Sequence, residues 1–218
     1  MIDNDWFSKF PVSAVSGARS LIRSSLLALT ACAALAACGG SEPDDAEPQI
    51  TEDHVDDRRD ALEKAGIPPL ADSAVDGFLD AQEGELKGAL TGTGSAVLRE
   101  ERSLLVVFPG QETFASGSSA ILPRFYDDLD QVAAVLNKYP QSYLDIMGHN
   151  DGAGTAAANQ ALSDARAAAV SNYLRSRGVA PVRIVTYGLG ATTPIAGNAL
   201  ESGPARNRRI EVVITPVT

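Results

Sequence analysis

The chain has 218 residues, 44% of them hydrophobic, with 18 basic against 28 acidic side chains and a formal net charge of -10. The imbalance is local: residues 39 to 90 hold four basic and fifteen acidic side chains, whereas residues 91 to 218 hold eleven of each. A neutral C-terminal part behind an acidic stretch lacks the net basic surface that counterion release requires, which argues against nucleic acid as a partner, and the length fits one ordinary domain plus extensions.

The run "RSSLLALTACAALAACGGSEPDD" follows a basic flank at Arg19 and Arg23 with an uncharged apolar stretch from Ser24 to Ala37, then Cys38 and small or acidic residues. That is the layout of an export signal, and it is too short to span a bilayer comfortably. Leu35-Ala36-Ala37-Cys38 resembles a bacterial lipobox. The resemblance implies a signal peptide over residues 1-37, cleavage before Cys38 and acylation of that cysteine. Leu29-Thr30-Ala31-Cys32 fits the same short pattern, but cleavage there would leave only eight residues of apolar region after Arg23. Gly39 stands where enteric lipoproteins retained at the inner membrane commonly carry aspartate, so the expected place is the outer membrane, with the domain facing the periplasm. Both cysteines lie in this region, so the exported part has no disulfide and depends on its core.

Residues 38-90 read as an acidic, flexible tether with weak helices. From Gly39 to about Asp57 the chain is rich in Asp, Glu and Pro, a composition that cannot bury apolar surface. Weak helical character appears over residues 58 to 66 and 75 to 90, with Phe78, Leu79, Leu86 and Leu90 scattered along one side. As a coil this tether has a mean span of about 40 Å.

The expected domain occupies residues 91-218. "SLLVVF" (103 to 108) reads as a buried strand ended by Pro109-Gly110. Pro123 suits a first helical turn, and Phe125, Leu129, Val132 and Leu136 follow at helical spacing. "SYLDIM" (142 to 147) alternates as a strand does. A glycine turn then leads into a helix from about Thr155 to Arg177, with Gly178 as its stop. "RIVTY" (183 to 187) and "RIEVVIT" (209 to 215) supply two more strands around an irregular stretch containing Pro194 and Pro204. The expected fold is an α/β two-layer sandwich with a mixed four-stranded sheet in β-α-β-α-β-(α)-β order.

Within "GHNDGAGTAAANQALSDARA" (148 to 167), one residue is out of pattern. On a helical wheel with Asn159 at zero, Leu162, Ala169, Val170 and Tyr173 fall on one sector and Arg166 falls inside it, at about 340°. A guanidinium on the core-facing side keeps its charge, so it needs a partner or the rim of a pocket. Two readings follow from the spacing. Asp151 either caps the helix or bridges to Arg166 as a structural ion pair, or the two form a clamp in which the carboxylate takes an ammonium and the guanidinium takes a carboxylate. Spacing alone favours the ion pair.

Phe114 with "SGSSAIL" after it, "GHND", "NQALSDARA", "YGLG" with Pro194 to Ala196, and "RNRRIEV" resemble the C-terminal domain of outer-membrane protein A and of peptidoglycan-associated lipoproteins. The resemblance covers about residues 97 to 216 and extends weakly to "DGFLDAQEGELKGALTGTG", which resembles the segment before the domain in a lipoprotein subgroup. It implies a domain that binds the diaminopimelate of the peptidoglycan stem peptide non-covalently and tethers the outer membrane to the cell wall. Asp151 is then the acceptor for the ligand ammonium and Arg166 the holder of its carboxylate. Asn159, Asn150 and Gly152 are further expected contacts, and Asn150 replaces the usual threonine of the motif. The resemblance implies no catalytic residue and no cofactor. The two histidines, His149 and His54, cannot assemble a metal site, and His149 reads as a structural residue of the turn. Arg206, Asn207, Arg208 and Arg209 read as bracing for the last strand, with the alternative that one of the arginines reaches the ligand. The competing reading is an envelope assembly factor whose partner is another envelope protein, docked on exposed Phe78 and Leu79.

Overall fold

A computed structural model of the chain describes residues 52–198 and 202–218. The expected signal peptide, Cys38 and the tether up to residue 51 lie outside the described residues. In chain order the elements are α1 (Glu52–Lys64), α2 (Val75–Ala89), β1 (Ala96–Glu100), β2 (Ser103–Pro109), α3 (Gly110–Thr113), α4 (Tyr126–Lys138), β3 (Ser142–His149), α5 (Ala156–Ser176), β4 (Ile184–Gly188), α6 (Gly203–Asn207) and β5 (Arg209–Pro216). None of these helices is long and apolar enough to cross a membrane.

The strands form one mixed sheet in the order β1-β2-β5-β3-β4. Only β3 and β4 are parallel, joined by the α5 crossover that a parallel pair requires. The class expected from the sequence is the class observed, with one more strand. β1 was missing from the expected set because it is short and half charged. Glu100 pairs with Ser103 across a two-residue turn at Glu101-Arg102, and only that pairing identifies "AVLRE" as an edge strand.

Alternation along the central strands sends Leu104, Val106 and Phe108 of β2, Leu144 and Ile146 of β3, and Ile210, Val212 and Ile214 of β5 to one face, all fully buried. Against that face pack Phe125, Leu129, Val132 and Leu136 of the α4 segment and Ala167, Val170 and Leu174 of α5. Helix α5 begins with a Thr155 cap whose side chain accepts from the Ala158 N–H at 3.2 Å. It ends at Gly178, φ +92°, where the N–H groups of Gly178 and Val179 return to the carbonyls of Arg175 and Leu174.

Packing starts well before residue 91. Val75, Leu79 and Leu86 of α2, with Leu90, are at most 3% exposed and belong to the main core. The α2 helix is fastened to α4 by Glu85, which accepts from Lys138 Nζ at 2.5 Å and from Tyr139 Oη at 2.7 Å. Arg99 of β1 adds contacts to Asp80 and Glu83 at 3.2 and 3.5 Å. The expected tether over residues 38-90 is therefore corrected for residues 58-90, which are part of the folded unit. Their weak pattern hid this because the partners that bury it come from α4 and the sheet. The same packing removes the docking surface assumed for an assembly factor: Leu79 is fully buried, and Phe78 sits edge-on against Tyr139 with ring centres 5.5 Å apart. Helix α1 lies on the other face of the sheet. There Leu62 packs with Tyr143 and Val217, and Arg58 reaches Asp145 at 2.9 Å.

Two buried polar side chains in this scaffold contrast sharply. Arg183 is 1% exposed, but its guanidinium donates to the carbonyls of Leu136, Tyr139 and Ser142 and to Ser142 Oγ, at 2.7 to 3.1 Å. Burial pulls its pKa down to about 10, still far above neutrality, so the cation holds the end of α4 to the start of β3. Gln82 of α2 is fully buried, and neither amide atom has a hydrogen-bond partner among the described residues. An unsatisfied buried amide costs about 1 to 3 kcal/mol. Gln82→Leu is therefore expected to stabilise the chain by about 1 to 2 kcal/mol. Calorimetry should show a thermal midpoint raised by several degrees, and an unchanged or lower midpoint would mean that water or another group satisfies the amide.

Candidate ligand-binding site

The site is built where α5 meets the ends of β3 and β4. Gly148 and Gly188 are register partners, and the first turns of α5 lie directly over them. A Cβ at Gly148 would stand 2.2 Å from the Ser163 carbonyl oxygen, and one at Gly188 would stand 2.1 Å from Asp164 Oδ1. Two side-chain-free positions side by side thus let the helix touch the sheet. Ser163 closes the junction by accepting from the Gly190 N–H at 2.9 Å.

The loop from His149 to Thr155 is held from three sides. The Asn150 N–H donates to the Gly190 carbonyl at 2.6 Å, and Asn150 Nδ2 donates to the Asn159 carbonyl at 2.6 Å. Asn159 Nδ2 returns to the Ala153 carbonyl at 3.0 Å. Asp151 Oδ1 accepts from the Ala153 N–H at 3.1 Å, an Asx-turn, and Gly152 follows, exposed, at φ +82°. His149 is buried, with Nδ1 2.8 Å from Thr193 Oγ1 and Glu211 beside its other nitrogen, the structural place read for it from sequence. No cluster with metal-binding composition occurs among the described residues.

Arg166 is 4% exposed and points into the site, as its place on the wheel requires. Its Nε donates to the Ser118 carbonyl at 3.0 Å and its Nη1 to Asn150 Oδ1 at 2.9 Å, while the guanidinium lies 5.1 Å from the centre of the Phe114 ring. Nη2 donates to no group among the described residues. Ser118 and Phe114 come from the "F…SGSSAIL" segment, so one part of the sequence pattern grips the arginine of another.

Neither version of the structural pair expected from spacing is present. Thr155, not Asp151, caps α5, and the ion partner of Asp151 is Arg208 through Oδ2 and Nη1. Of the arginines expected either to brace the last strand or to reach the ligand, Arg208 is the one that stands at Asp151. It reaches the site because β5 runs antiparallel to β3, with Arg209 paired to His149, so the residue before β5 stands beside the residues after β3. Its pairing with Asp151, across 57 residues of sequence, follows from that register. Asn198 Nδ2 also donates to the Asp151 carbonyl at 2.5 Å. Asn207 fixes the facing loop through Ile195, Ala196 and Asn198, at 2.7 to 3.0 Å.

The electrostatics are asymmetric. Burial raises the Asp151 carboxyl, but the Ala153 N–H and the Arg208 guanidinium outweigh it, and the group titrates below its ordinary value of 3.8. Burial disfavours the Arg166 cation, the Arg208 charge disfavours it further, and the Asp151 charge favours it. An arginine keeps its proton regardless. One carboxylate thus faces two guanidiniums, one of them with an open donor edge, which is an arrangement short of one anion. Asn150 and Asn159, both expected as ligand contacts, also hold the site together. They are 4% and 7% exposed, and the Asn150 amide is engaged at both ends, orienting Arg166 and tying the loop to α5.

A profile of the OmpA family matches residues 113–208, from the segment that holds Arg166 to the arginine that holds Asp151. The solved cell wall anchor of the T6SS from Pseudomonas aeruginosa is 31% identical, with a TM-score of 0.52, and the match covers 65% of this chain and 96% of that one. The chain belongs to the OmpA family. Among curated relatives in the family, the probable lipoprotein YiaD of Escherichia coli strain K12 is 36% identical over 140 residues, 64% of each chain. The peptidoglycan-binding protein ArfA of Mycobacterium bovis is 38% identical over 114 residues, which is 52% of this chain and 35% of that protein. The chain therefore spans less than two thirds of the length of these two relatives.

Proposed function

We propose that the chain is a non-catalytic outer-membrane lipoprotein, anchored through Cys38 and facing the periplasm, that binds peptidoglycan non-covalently through diaminopimelate and so tethers the membrane to the wall. The observation that carries this reading is the missing anion: Arg166 offers an unused donor edge beside Asp151, and Arg208 already answers the aspartate. A zwitterion completes the set, its carboxylate on Arg166 in charge-assisted geometry and its ammonium on Asp151. Residues 38 to 51, between the anchor and α1, leave chain length for a domain that works away from the membrane surface. The relatives support the same reading through the wall binding named for ArfA and the lipoprotein character named for YiaD.

The test is sedimentation of the full chain with purified diaminopimelate-containing peptidoglycan, with free diaminopimelate as competitor. Binding should be saturable and competed. It should stay level from about pH 8 to 5 and weaken only below the ordinary carboxylate value, because the depressed pKa of Asp151 keeps it ionised until then. Binding indifferent to the competitor would sink the diaminopimelate assignment, and partitioning of the mature chain into the aqueous phase of a detergent extraction would sink the anchor.

A further inference from the structure

Helix α5 carries a second feature along the face that bears Arg166. Tyr173 follows Arg166 by seven residues, within about 20° of it on the helical wheel and about 10 Å further along the axis. Tyr126, the first residue of α4, stacks on Tyr173 with ring centres 4.9 Å apart and planes 19° from parallel. Among the described residues Tyr126 is the most exposed large apolar side chain, at 37%. The inner ring is fastened. Tyr173 Oη donates to Asp130 Oδ1 at 2.7 Å, and Arg177 donates to the same carboxylate oxygen at 2.6 Å and to Tyr173 Oη at 2.7 Å. Arg177 also lies over the Tyr173 ring, 4.8 Å from its centre, so in this aromatic platform Tyr173 is a fixed backing and Tyr126 is the ring that offers a face to a ligand, with the Asp130 carboxylate and the Arg177 guanidinium close by.

The chemistry of that platform fits one class of ligand. The face of an aromatic ring is negative, and it attracts the weakly positive C–H groups that a pyranose presents on its flat side. Rim groups that both accept and donate suit the sugar hydroxyls around such a stack. A ring already held by its neighbours loses little freedom on binding.

We propose that Tyr126 and Tyr173 form a saccharide subsite that takes the sugar of the glycan strand to which the bound stem peptide is attached. The proposal rests on the diaminopimelate reading and adds a second contact to it. In a stem peptide the diamino acid is the third residue from the sugar, and three extended residues reach about 10 Å. That equals the distance along α5 from the carboxylate holder to the platform. The site then grips a wall unit at two points, the charged side chain at Asp151 and Arg166 and the sugar at the tyrosines.

Calorimetric titration of the full chain with two soluble probes tests this. One is the diaminopimelate tripeptide, and the other is the same tripeptide carrying its disaccharide. The disaccharide form should bind about two- to ten-fold tighter than the bare tripeptide. Tyr126→Ala should erase that increment and leave tripeptide affinity unchanged, which also reports that the variant is folded. Tyr126→Trp should keep the increment. Equal affinity for the two probes in the wild type, or an increment that survives Tyr126→Ala, overturns the saccharide subsite while the diaminopimelate reading stands. Failure of the wild type to bind the tripeptide at all overturns both.

Discussion

Asp151→Ala and Arg166→Ala are each expected to weaken binding to diaminopimelate-containing wall by about ten- to a hundred-fold. A hydrogen bond to a charged group contributes about 1.5 to 3 kcal/mol, and each 1.4 kcal/mol is a factor of ten. The two losses have different causes. Without Asp151 the ligand ammonium meets Arg166 and Arg208 with no anion between them, so repulsion adds to the missing contact. Without Arg166 the ligand carboxylate has no bidentate donor, and Asn150 Oδ1 and the Ser118 carbonyl lose theirs too. The second variant therefore also tests the scaffold, and Arg166→Lys separates the effects. A lysine keeps the charge but cannot present two parallel donors, so it should bind better than alanine and worse than arginine. Sedimentation with purified peptidoglycan reads all three, with thermal denaturation as the folding control. Wild-type binding by both alanine variants would place the site elsewhere.

Gly148→Ala is expected to damage the domain severely, because it adds a methyl group where the helix rests on the sheet. The obstacle at 2.2 Å is the backbone carbonyl of Ser163, which cannot rotate away as a side-chain tip could. Helix α5 must lift from the sheet, and overpacking of this kind costs about 3 kcal/mol or more. Ser163 lies one turn before Arg166, so the displacement also draws the guanidinium from Asn150 and Ser118. Stability and wall binding should fall together. Gly154→Ala provides the contrast. Its φ is +91°, but no atom lies within 4 Å of the added carbon, so it carries only the conformational penalty, about 1 kcal/mol. Urea denaturation of the two variants checks the difference. Equal midpoints would mean that α5 does not rest on the sheet at Gly148.

Most of the elements were legible because their causes are local. The 4, 3, 4 spacing of Phe125, Leu129, Val132 and Leu136 places four side chains on one face of any helix, and all four are buried. The stop at Gly178 needs only a positive φ. Arg166 announced itself as a charge in an apolar sector, and it was found buried and directed into a site. β1 and α2 were less legible. Five half-charged residues and a sparse apolar stripe have no meaning until a neighbouring strand or helix covers them.

By itself the sequence determined the α/β class, the order of the strands and helices other than β1, and a guanidinium at Arg166 that needs a partner on the core-facing side of its helix. These follow from periodicity, caps and turns, whose physical range is a few residues. Tertiary structure alone decided the partners. Arg208 answers Asp151 because antiparallel register brings the start of β5 beside the end of β3, and Asn150 orients Arg166 because a glycine notch lets α5 settle on the sheet. Ion pairs and close contacts depend on distances in space, and no spacing along the chain encodes a distance that the packing of other elements creates.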